Sequence, residues 1–479
     1  MFAKHSPMIN IPLALTYDDV LLVPKRSELI SRQDADTSTK LSRNIRLKIP
    51  LLSANMDTVT ESAMAIAMAS KGGIGIIHRF LDIDSQVREV VRVKRKQHII
   101  IDNPFTVPAS MTLGELKERI KTTGTSGFLV SDDGQKLLGI ISRRDIDFIT
   151  DDNALVGFLM TPKEKLITAR QNISAEQARE IFIKYKIEKI PLVDNDFNIK
   201  GLITQKDALI YNNNSEAAKD KKGRLLVGAA IGAGGDFMER AKALINAEAD
   251  VLVIDIAHGH SLNELNAIYK IKEKYPSVEL IGGNIATAQG ALDLISAGVD
   301  AVKVGIGPGS ICTTRITTGF GVPQLTAIFN ISPVCQRYQI PLIADGGVKT
   351  PADIVKALAA GADSIMVGGQ FAGTDEAPGP VISYRGRQYK ISRGMASLTA
   401  AISRPNAKEN YKDITPEGIE ARVPCRGPVD HIIGQFIGGL RSGMSYGNAK
   451  TINELRECQF IRITDAGRTE SGSHDNEII

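Results

Sequence analysis

The stretch VGIGPGSICTTR, Val304 to Arg315, places Cys312 directly behind a glycine-rich turn, with Thr313, Thr314 and Arg315 next to it. A lone cysteine most often packs as a small hydrophobe. A thiol on an amide-rich loop beside an arginine has a setting that favours the thiolate, the nucleophilic form. Cys335, Cys425 and Cys458 lie on segments without such a setting and read as packing residues. Consecutive glycines at strand ends let backbone N–H groups approach a phosphate. Gly307, Gly309 and Ser310 form one such wall, Asp345 to Gly347 a second, and Gly368 with Gly369 a third. A single glycine pair is commonly a tight turn; three on successive strand ends make that reading weaker for the set. Asp345 has the acceptors for sugar hydroxyls, and Asp255 could fix a second polar ligand in the same mouth. Alone, either carboxylate could equally cap a loop.

These residues need elements to carry them. From about Arg224 onward, short apolar runs end in Gly, Asp or Asn and are followed by helical patterns. DVLVIDIAHGH ends a strand near Asp255, and SLNELNAIYKIKEKY has helical periodicity. ELIGGNIATA, DAVKVGIGPGS, IPLIADGG and DSIMVGGQFAG follow, separated by helix patterns such as TAQGALDLISAG and TPADIVKALAAG. Strand–helix alternation with buried parallel strands and polar strand ends predicts an α/β fold, a (β/α)8 TIM barrel. An open doubly wound sheet is the rival, but its dinucleotide version lacks an early GxGxxG fingerprint here. Residues 1–98, with IPLLSANMDTVT and GGIGIIHRF, supply the first barrel strands, and residues 222–479 the rest.

The middle, residues 99–212, holds an internal repeat. LLGIISRRDID (Leu137 to Asp147) returns as IKGLITQKDAL (Ile199 to Leu209), with Gly139, Ser142 and Asp145 mapping onto Gly201, Thr204 and Asp207. Two copies would bury their faces against each other. YNNNSEAAKDKKGR then reads as a linker back into the barrel.

Composition narrows the function classes. The 479 residues exceed what one core usually serves, and 43% hydrophobic with 23% charged residues is ordinary for a globular chain. A net charge of +4 over this length gives no case for nucleic acid. The basic run VREVVRVKRKQ, Val87 to Gln97, reads as a solvated helix face. The cysteines make no CxxC pair, and so few in a long chain suit a reducing compartment. The first twenty residues hold two prolines and two acids, unlike a signal peptide, and no run approaches the roughly 18 apolar residues of a bilayer span. The expectation is a cytoplasmic protein without a membrane partner.

Six stretches in order resemble the family of inosine monophosphate dehydrogenases and guanosine monophosphate reductases. They are LTYDDVLLVPKRSEL, GIGPGSICTTR, ADGG, RGMAS, EGIEARVP and GGLRSGMSYGNAKTINEL, and the resemblance covers nearly the whole chain. It implies that Cys312 attacks C2 of a purine nucleotide and forms a covalent thioimidate. Ser310, Gly347, Gly368 and Gly369 would hold the phosphate, Asp345 the ribose, and Ser53, Asn55, Met56, Gly394 and Met395 further parts of the nucleotide. Asn284 and Asp255 would face the reacting ring and the nicotinamide, with His258 and Ser261 on the cofactor side. Thr314 and Glu417 would handle proton transfer. In dehydrogenases of the family a monovalent cation such as potassium sits on this loop; the matching carbonyls are those of Gly307, Gly309 and Cys312, and Glu470, Ser471 and Gly472 from a neighbouring subunit would complete the site. The insert looks like the tandem CBS (Bateman) module of many members, with adenine or guanine nucleotides at Ser142, Asp145, Thr204 and Asp207. The family's habit is the homotetramer or homo-octamer.

The two branches of the family treat the thioimidate differently. A dehydrogenase passes hydride to NAD and hydrolyses the intermediate with an Arg–Tyr pair on a flap; a reductase displaces ammonia and takes hydride from NADPH. Here the flap SRPNAKENYKDITPEG is short and carries Asn410 before Tyr411; an amide cannot supply the guanidinium role. Asn55, Gly369 and RGPV are reductase-like as well. Against this, CBS modules are commoner in dehydrogenases, AGTDEAPG and RGMAS look dehydrogenase-like, Ser392 replaces an aromatic residue, and Arg404 could stand in for the flap arginine. The expectation is an NADPH-dependent GMP reductase regulated by nucleotides at the CBS module. An NAD-dependent IMP dehydrogenase is the alternative. A catalytically silent CBS nucleotide sensor is a third reading, and the intact Cys312, Thr314 and Glu417 argue against it.

Overall fold

The computed structural model describes residues 11–96, 100–101, 104–125, 127–171, 173–211, 216–402 and 415–472. Eight short apolar runs close into a parallel barrel. They are β1 (Leu51–Ser53), β2 (Ile74–Ile77), β3 (Val227–Ile231), β4 (Val251–Ile254), β5 (Glu279–Ile285), β6 (Ala301–Val304), β7 (Leu342–Asp345) and β8 (Ser364–Val367). Each pairs with the next, and β8 meets β1 with Ile365 opposite Leu51. This ring excludes the open doubly wound sheet.

The strands are mostly apolar because both faces are covered, with Lys303 inside β6 and Asp345 at the end of β7 among the exceptions. Leu52, Ile74, Ile76, Val253, Ile281, Ile343 and Met366 fill the barrel interior. The opposite faces pack against α1 (Ser62–Ser70), α2 (Ile83–Arg95), α3 (Phe237–Asn246), α4 (Leu262–Lys274), α5 (Ala288–Ala297), α6 (Gln324–Tyr338), α7 (Pro351–Ala359) and α8 (Val429–Tyr446). Local sequence starts and stops these helices. Thr287 caps α5 by accepting from the Gly290 amide at 3.1 Å, and Gly298 ends it in the left-handed region. Thr350 and Asp353 form a capping box at α7, with Pro351 at its first position.

The basic run reads correctly on one side of α2 only. Arg88, Arg92 and Arg95 are exposed. Lys94 is buried instead, with Nζ 3.0 Å from Asp220 Oδ2 and 2.7 Å from Asp250 Oδ2.

A second compact unit spans residues 95–215. Thr106–Val107, Gly127–Val130, Gly139–Ser142 and Thr161–Pro162 form one sheet; Ile100–Ile101, Lys189–Val193 and Ile199–Thr204 form another. Gly127 faces Ser142 in the first hairpin and Lys189 faces Thr204 in the second, so the repeat in sequence is a repeat in register. Leu129 and Leu137 of one copy pack with Val193 and Leu202 of the other. Among the described residues no helix is long and apolar enough to cross a membrane.

Candidate active site

The C-terminal ends of the strands gather the polar residues. Gly305 follows β6 with φ +153°, and a Cβ there would stand 2.1 Å from the Asp345 carbonyl oxygen. Only glycine lets the two loops approach this closely. Beyond it the loop carries Cys312, whose amide donates to the Gly309 carbonyl at 3.1 Å.

Two later segments hold this loop from the far side. Thr313 N–H donates to Glu417 O at 2.9 Å, Ile419 N–H to Ile311 O at 3.0 Å, and Gly394 N–H to Ile419 O at 3.0 Å. Gly394 and Gly418 cross so tightly that a Cβ on Gly394 would lie 3.1 Å from Gly418 Cα. The crossing delivers a chain of side chains: Cys312 Sγ to Thr314 Oγ1 at 3.2 Å, and Thr314 Oγ1 donating to Glu417 Oε2 at 2.8 Å. A carboxyl group here can take a proton through the hydroxyl as a carboxylate and return it in its protonated form to a group leaving beside the thiol. Arg315 does not point its hydrogen bonds at Cys312. Its Nε donates to Ile306 O at 3.2 Å and its guanidinium to Val322 O at 2.6 Å, so it braces the loop. Burial pulls the Arg315 guanidinium down, and the charge of Cys312 opposes this.

The mouth encloses a cavity of about 230 Å³ lined by Asn55, Met56, Asn284, Cys312, Asp345 and Met395, among others. Its floor is a hydrogen-bonded triad. Lys303, buried in β6, donates to Asp345 Oδ2 at 2.8 Å and to Asn284 Oδ1. Asn284 Nδ2 donates to Asp345 Oδ2 at 2.9 Å and to Gly305 O at 2.8 Å. Across the cavity Arg79, which follows β2, pairs with Asp255 at 3.2 Å. Lys303 and Arg79 were not singled out from the sequence. The signal for Lys303 was a charged residue inside the apolar run DAVKVGIG.

The three glycine walls converge. A Cβ on Gly369 would lie 2.9 Å from Ser310 Oγ, one on Gly346 3.2 Å from the Gly309 amide, one on Gly347 3.6 Å from Pro308 Cβ, and one on Gly368 3.0 Å from Met56 Sδ. Other expected contacts are differently engaged. Ser53 is fully buried and its hydroxyl accepts from Thr60 Oγ1 at 2.8 Å, because the chain after β1 folds back over it. Ser261 Oγ caps α4, and His258 is exposed at the rim. Ser392 is buried with no hydrogen-bond partner for its Oγ among the described residues. Glu470, Ser471 and Gly472 end a helix that Arg468 ties to Asp18 at 3.0 Å. Gly307 holds φ +80° against the Arg315 side chain. Cys335 and Cys458 are buried, whereas Cys425 is partly exposed. Arg404, Asn410 and Tyr411 lie outside the described residues. In the insert, Ser142 donates from both N–H and Oγ to Asp145 Oδ2 at 2.7 Å, Thr204 ends the equivalent strand, and Asp207 lies in the helix Gln205–Tyr211.

Residues 14–474 match the family described as IMP dehydrogenase / GMP reductase domain. The chain is 50% identical to inosine-5'-monophosphate dehydrogenase of Nitrosopumilus maritimus over 469 residues, covering 96% of this chain and 98% of the relative. It is 46% identical to GMP reductase of Leishmania donovani over 482 residues, covering 97% and 98%. A cysteine-to-alanine variant of GMP reductase from Trypanosoma brucei, solved in complex with guanosine 5'-monophosphate, superposes with a TM-score of 0.88 at 44% identity, covering 98% of this chain and 99% of that one. With the barrel and the cysteine loop in place, the chain belongs to the IMP dehydrogenase / GMP reductase family, oxidoreductases that act on purine nucleotides with NAD(P) cofactors.

Proposed function

We propose that the protein is a GMP reductase, converting GMP and NADPH to IMP, ammonia and NADP. In this reading the Cys312 thiolate adds to C2 of the guanine ring. Glu417, through Thr314, protonates the amine, the C2–N bond breaks and ammonia leaves a thioimidate on Cys312. NADPH, with Asp255, His258 and Ser261 as its residues, supplies the hydride that reaches C2. The S–C2 bond then breaks, returning the thiolate and releasing IMP. Amides of the Ser310, Gly347, Gly368 and Gly369 walls hold the phosphate, and the carboxylate of Asp345, braced by Lys303 and Asn284, takes ribose hydroxyls.

The branch rests on one observation, Asn410 before Tyr411 where water activation would call for a guanidinium. NAD-dependent oxidation of IMP is a second reading, favoured by relatives named inosine-5'-monophosphate dehydrogenase at up to 51% identity. A silent sensor would have no use for the Cys312–Thr314–Glu417 chain.

The insert, read as a tandem CBS module, would bind adenine or guanine nucleotides at Ser142, Asp145, Thr204 and Asp207 and regulate turnover. A Trypanosoma brucei GMP reductase solved with guanosine 5'-triphosphate, 41% identical with a TM-score of 0.77, supports a guanine nucleotide. The loop carbonyls of Gly307, Gly309 and Cys312 are oxygen donors suited to a potassium ion. Gly309 O keeps a lone pair beyond its bond to the Cys312 amide. Glu470 to Gly472 of a neighbouring subunit in a homotetramer or homo-octamer would complete that shell. Four free cysteines accord with a cytoplasmic setting.

The test is to offer GMP with NADPH, then IMP with NAD. Continuous NADPH oxidation with one ammonia released per turnover is expected, and from IMP only a burst of NADH. Sustained xanthosine monophosphate formation without NADPH oxidation would overturn the reductase reading and make Arg404 the first candidate for activating water.

A further inference from the structure

Glu264 lies on α4 with no exposed surface. Its Oε1 accepts the Gly283 amide at 2.6 Å, and its Oε2 is buried with no hydrogen-bond partner among the described residues. A Cβ on Gly259 would stand 2.7 Å from Oε2, and one on Gly282 would stand 3.0 Å from Oε1. The carboxyl is therefore wedged between the loop after β4 and the end of β5. The Gly259 amide joins the same two segments by donating to Asn284 O at 2.8 Å. Asn284 is the residue that ties β5 to Asp345 and to the Gly305 carbonyl in the mouth.

A bare carboxylate oxygen in such a place is costly, and a neutral carboxyl avoids the cost. Burial pushes the Glu264 carboxyl up to about 8; the Gly283 amide and the charge of Lys303 pull it back, and Asp255 adds to the rise. The charged groups around it are thus Lys303 from β6 and Asp255 from the end of β4, the latter paired with Arg79. His258 and His260 lie on the intervening loop, with His260 held by Asp293 of α5 at 2.8 Å.

We propose that Glu264 is a positioning residue whose neutral form keeps Asn284 and Asp345 aligned for the nucleotide, and that its ionisation weakens nucleotide binding. The proposal rests on the reading of the mouth as a purine nucleotide site. Its sign follows from the raised value: the carboxyl stays neutral from the ordinary carboxylate range up to about pH 8 and is charged above it. A charged Glu264 offers Lys303 a second anion, in competition with Asp345, and repels Asp255. The triad loosens as pH rises.

The measurement is calorimetric titration of IMP, then GMP, from about pH 6.5 to about pH 9.5. Both proteins compared carry Cys312→Ala, which removes turnover and the thiol's own titration; one also carries Glu264→Gln, which keeps the acceptor for Gly283. If only the neutral form binds, apparent Kd scales with the inverse of the neutral fraction. The ratio of Kd between the two proteins should then rise about thirtyfold from pH 7 to pH 9.5. Proton loss from the nucleotide itself cancels in that ratio. A constant ratio removes Glu264 from the site. Should the glutamine variant fail to fold, the parent decides: a Kd unchanged up to pH 9.5 overturns the proposal, as does a rise no larger than the nucleotide's own proton loss, titrated separately in buffer, accounts for, and about a thirtyfold rise beyond that supports it. If neither nucleotide binds the parent at pH 7, the reading of the mouth fails and the proposal falls with it.

Discussion

Lys303→Met tests the floor of the site. The Lys303 side chain is 3% exposed, and its ammonium stands 2.8 Å from Asp345 Oδ2. Methionine keeps nearly the same length and removes the charge, so Asp345 is left with Asn284 Nδ2 at 2.9 Å. Breaking a buried ion pair from one side costs about 3–5 kcal/mol, because the surviving charge is uncompensated. The Asp345 side chain is 22% exposed, so water relieves part of this and the lower end, about 3 kcal/mol, is expected. Asp345→Asn strands the more deeply buried partner and should cost nearer 4 kcal/mol. The double variant removes both charges and should recover a coupling energy of about 2 kcal/mol. Urea unfolding followed by circular dichroism, with all four proteins compared at a common slope, measures the cycle. Additivity within about 0.5 kcal/mol would show that the pair is not coupled and would refute the reasoning. The methionine variant should also bind nucleotide about tenfold more weakly, a loss of about 1.4 kcal/mol, because Asp345 is no longer held from below.

Cys312→Ala should abolish turnover while nucleotide affinity stays within about tenfold, since two of the three phosphate walls, Asp345 to Gly347 and Gly368 with Gly369, lie on other loops. Intact-protein mass spectrometry should show a nucleotide adduct on the parent only, and substantial turnover by the alanine variant would take Cys312 out of the mechanism. Glu417→Gln should slow ammonia release by about a hundredfold or more, since the leaving amine must be protonated through Thr314. Rapid quench with ammonia detection reads this step, and an unchanged rate would assign the proton to another group.

The barrel was legible because each strand is a short apolar run ending in a polar or glycine residue, and because both faces of a parallel strand are buried. The repeat was legible because one offset carries Gly139, Ser142 and Asp145 onto Gly201, Thr204 and Asp207, and the hairpin registers follow it. The bond from Thr60 to the Ser53 hydroxyl was not legible, because Thr60 becomes a neighbour only when the chain after β1 doubles back. The bracing role of Arg315 was hidden for a related reason. Adjacency to Cys312 along the chain suggested a charge partner, yet the carbonyls of Ile306 and Val322 are nearer once the loop closes. Lys94 sat in a basic run whose other members are solvated. Its burial depends on Asp220 and Asp250, both more than a hundred residues away.

Lys303 and Glu264 share a deeper reason for having escaped notice. A charged residue in an apolar strand, or an acid in the first turn of a helix, has an ordinary surface reading. Glu264 in particular follows Ser261 at the spacing of a helix start, where a carboxylate normally faces water. Closure of the barrel turns both inward, one on each side of Asn284. Lys303 and Asp345 hold the side chain of Asn284 from the mouth, while the neutral Glu264 carboxyl and the Gly259 amide hold its backbone neighbourhood from behind. Opposite charges on the two sides would attract each other through Asn284; a neutral Glu264 leaves the ammonium to Asp345. On the proposed role of Glu264, the geometry of the cavity floor depends on the protonation of a residue with no exposed surface.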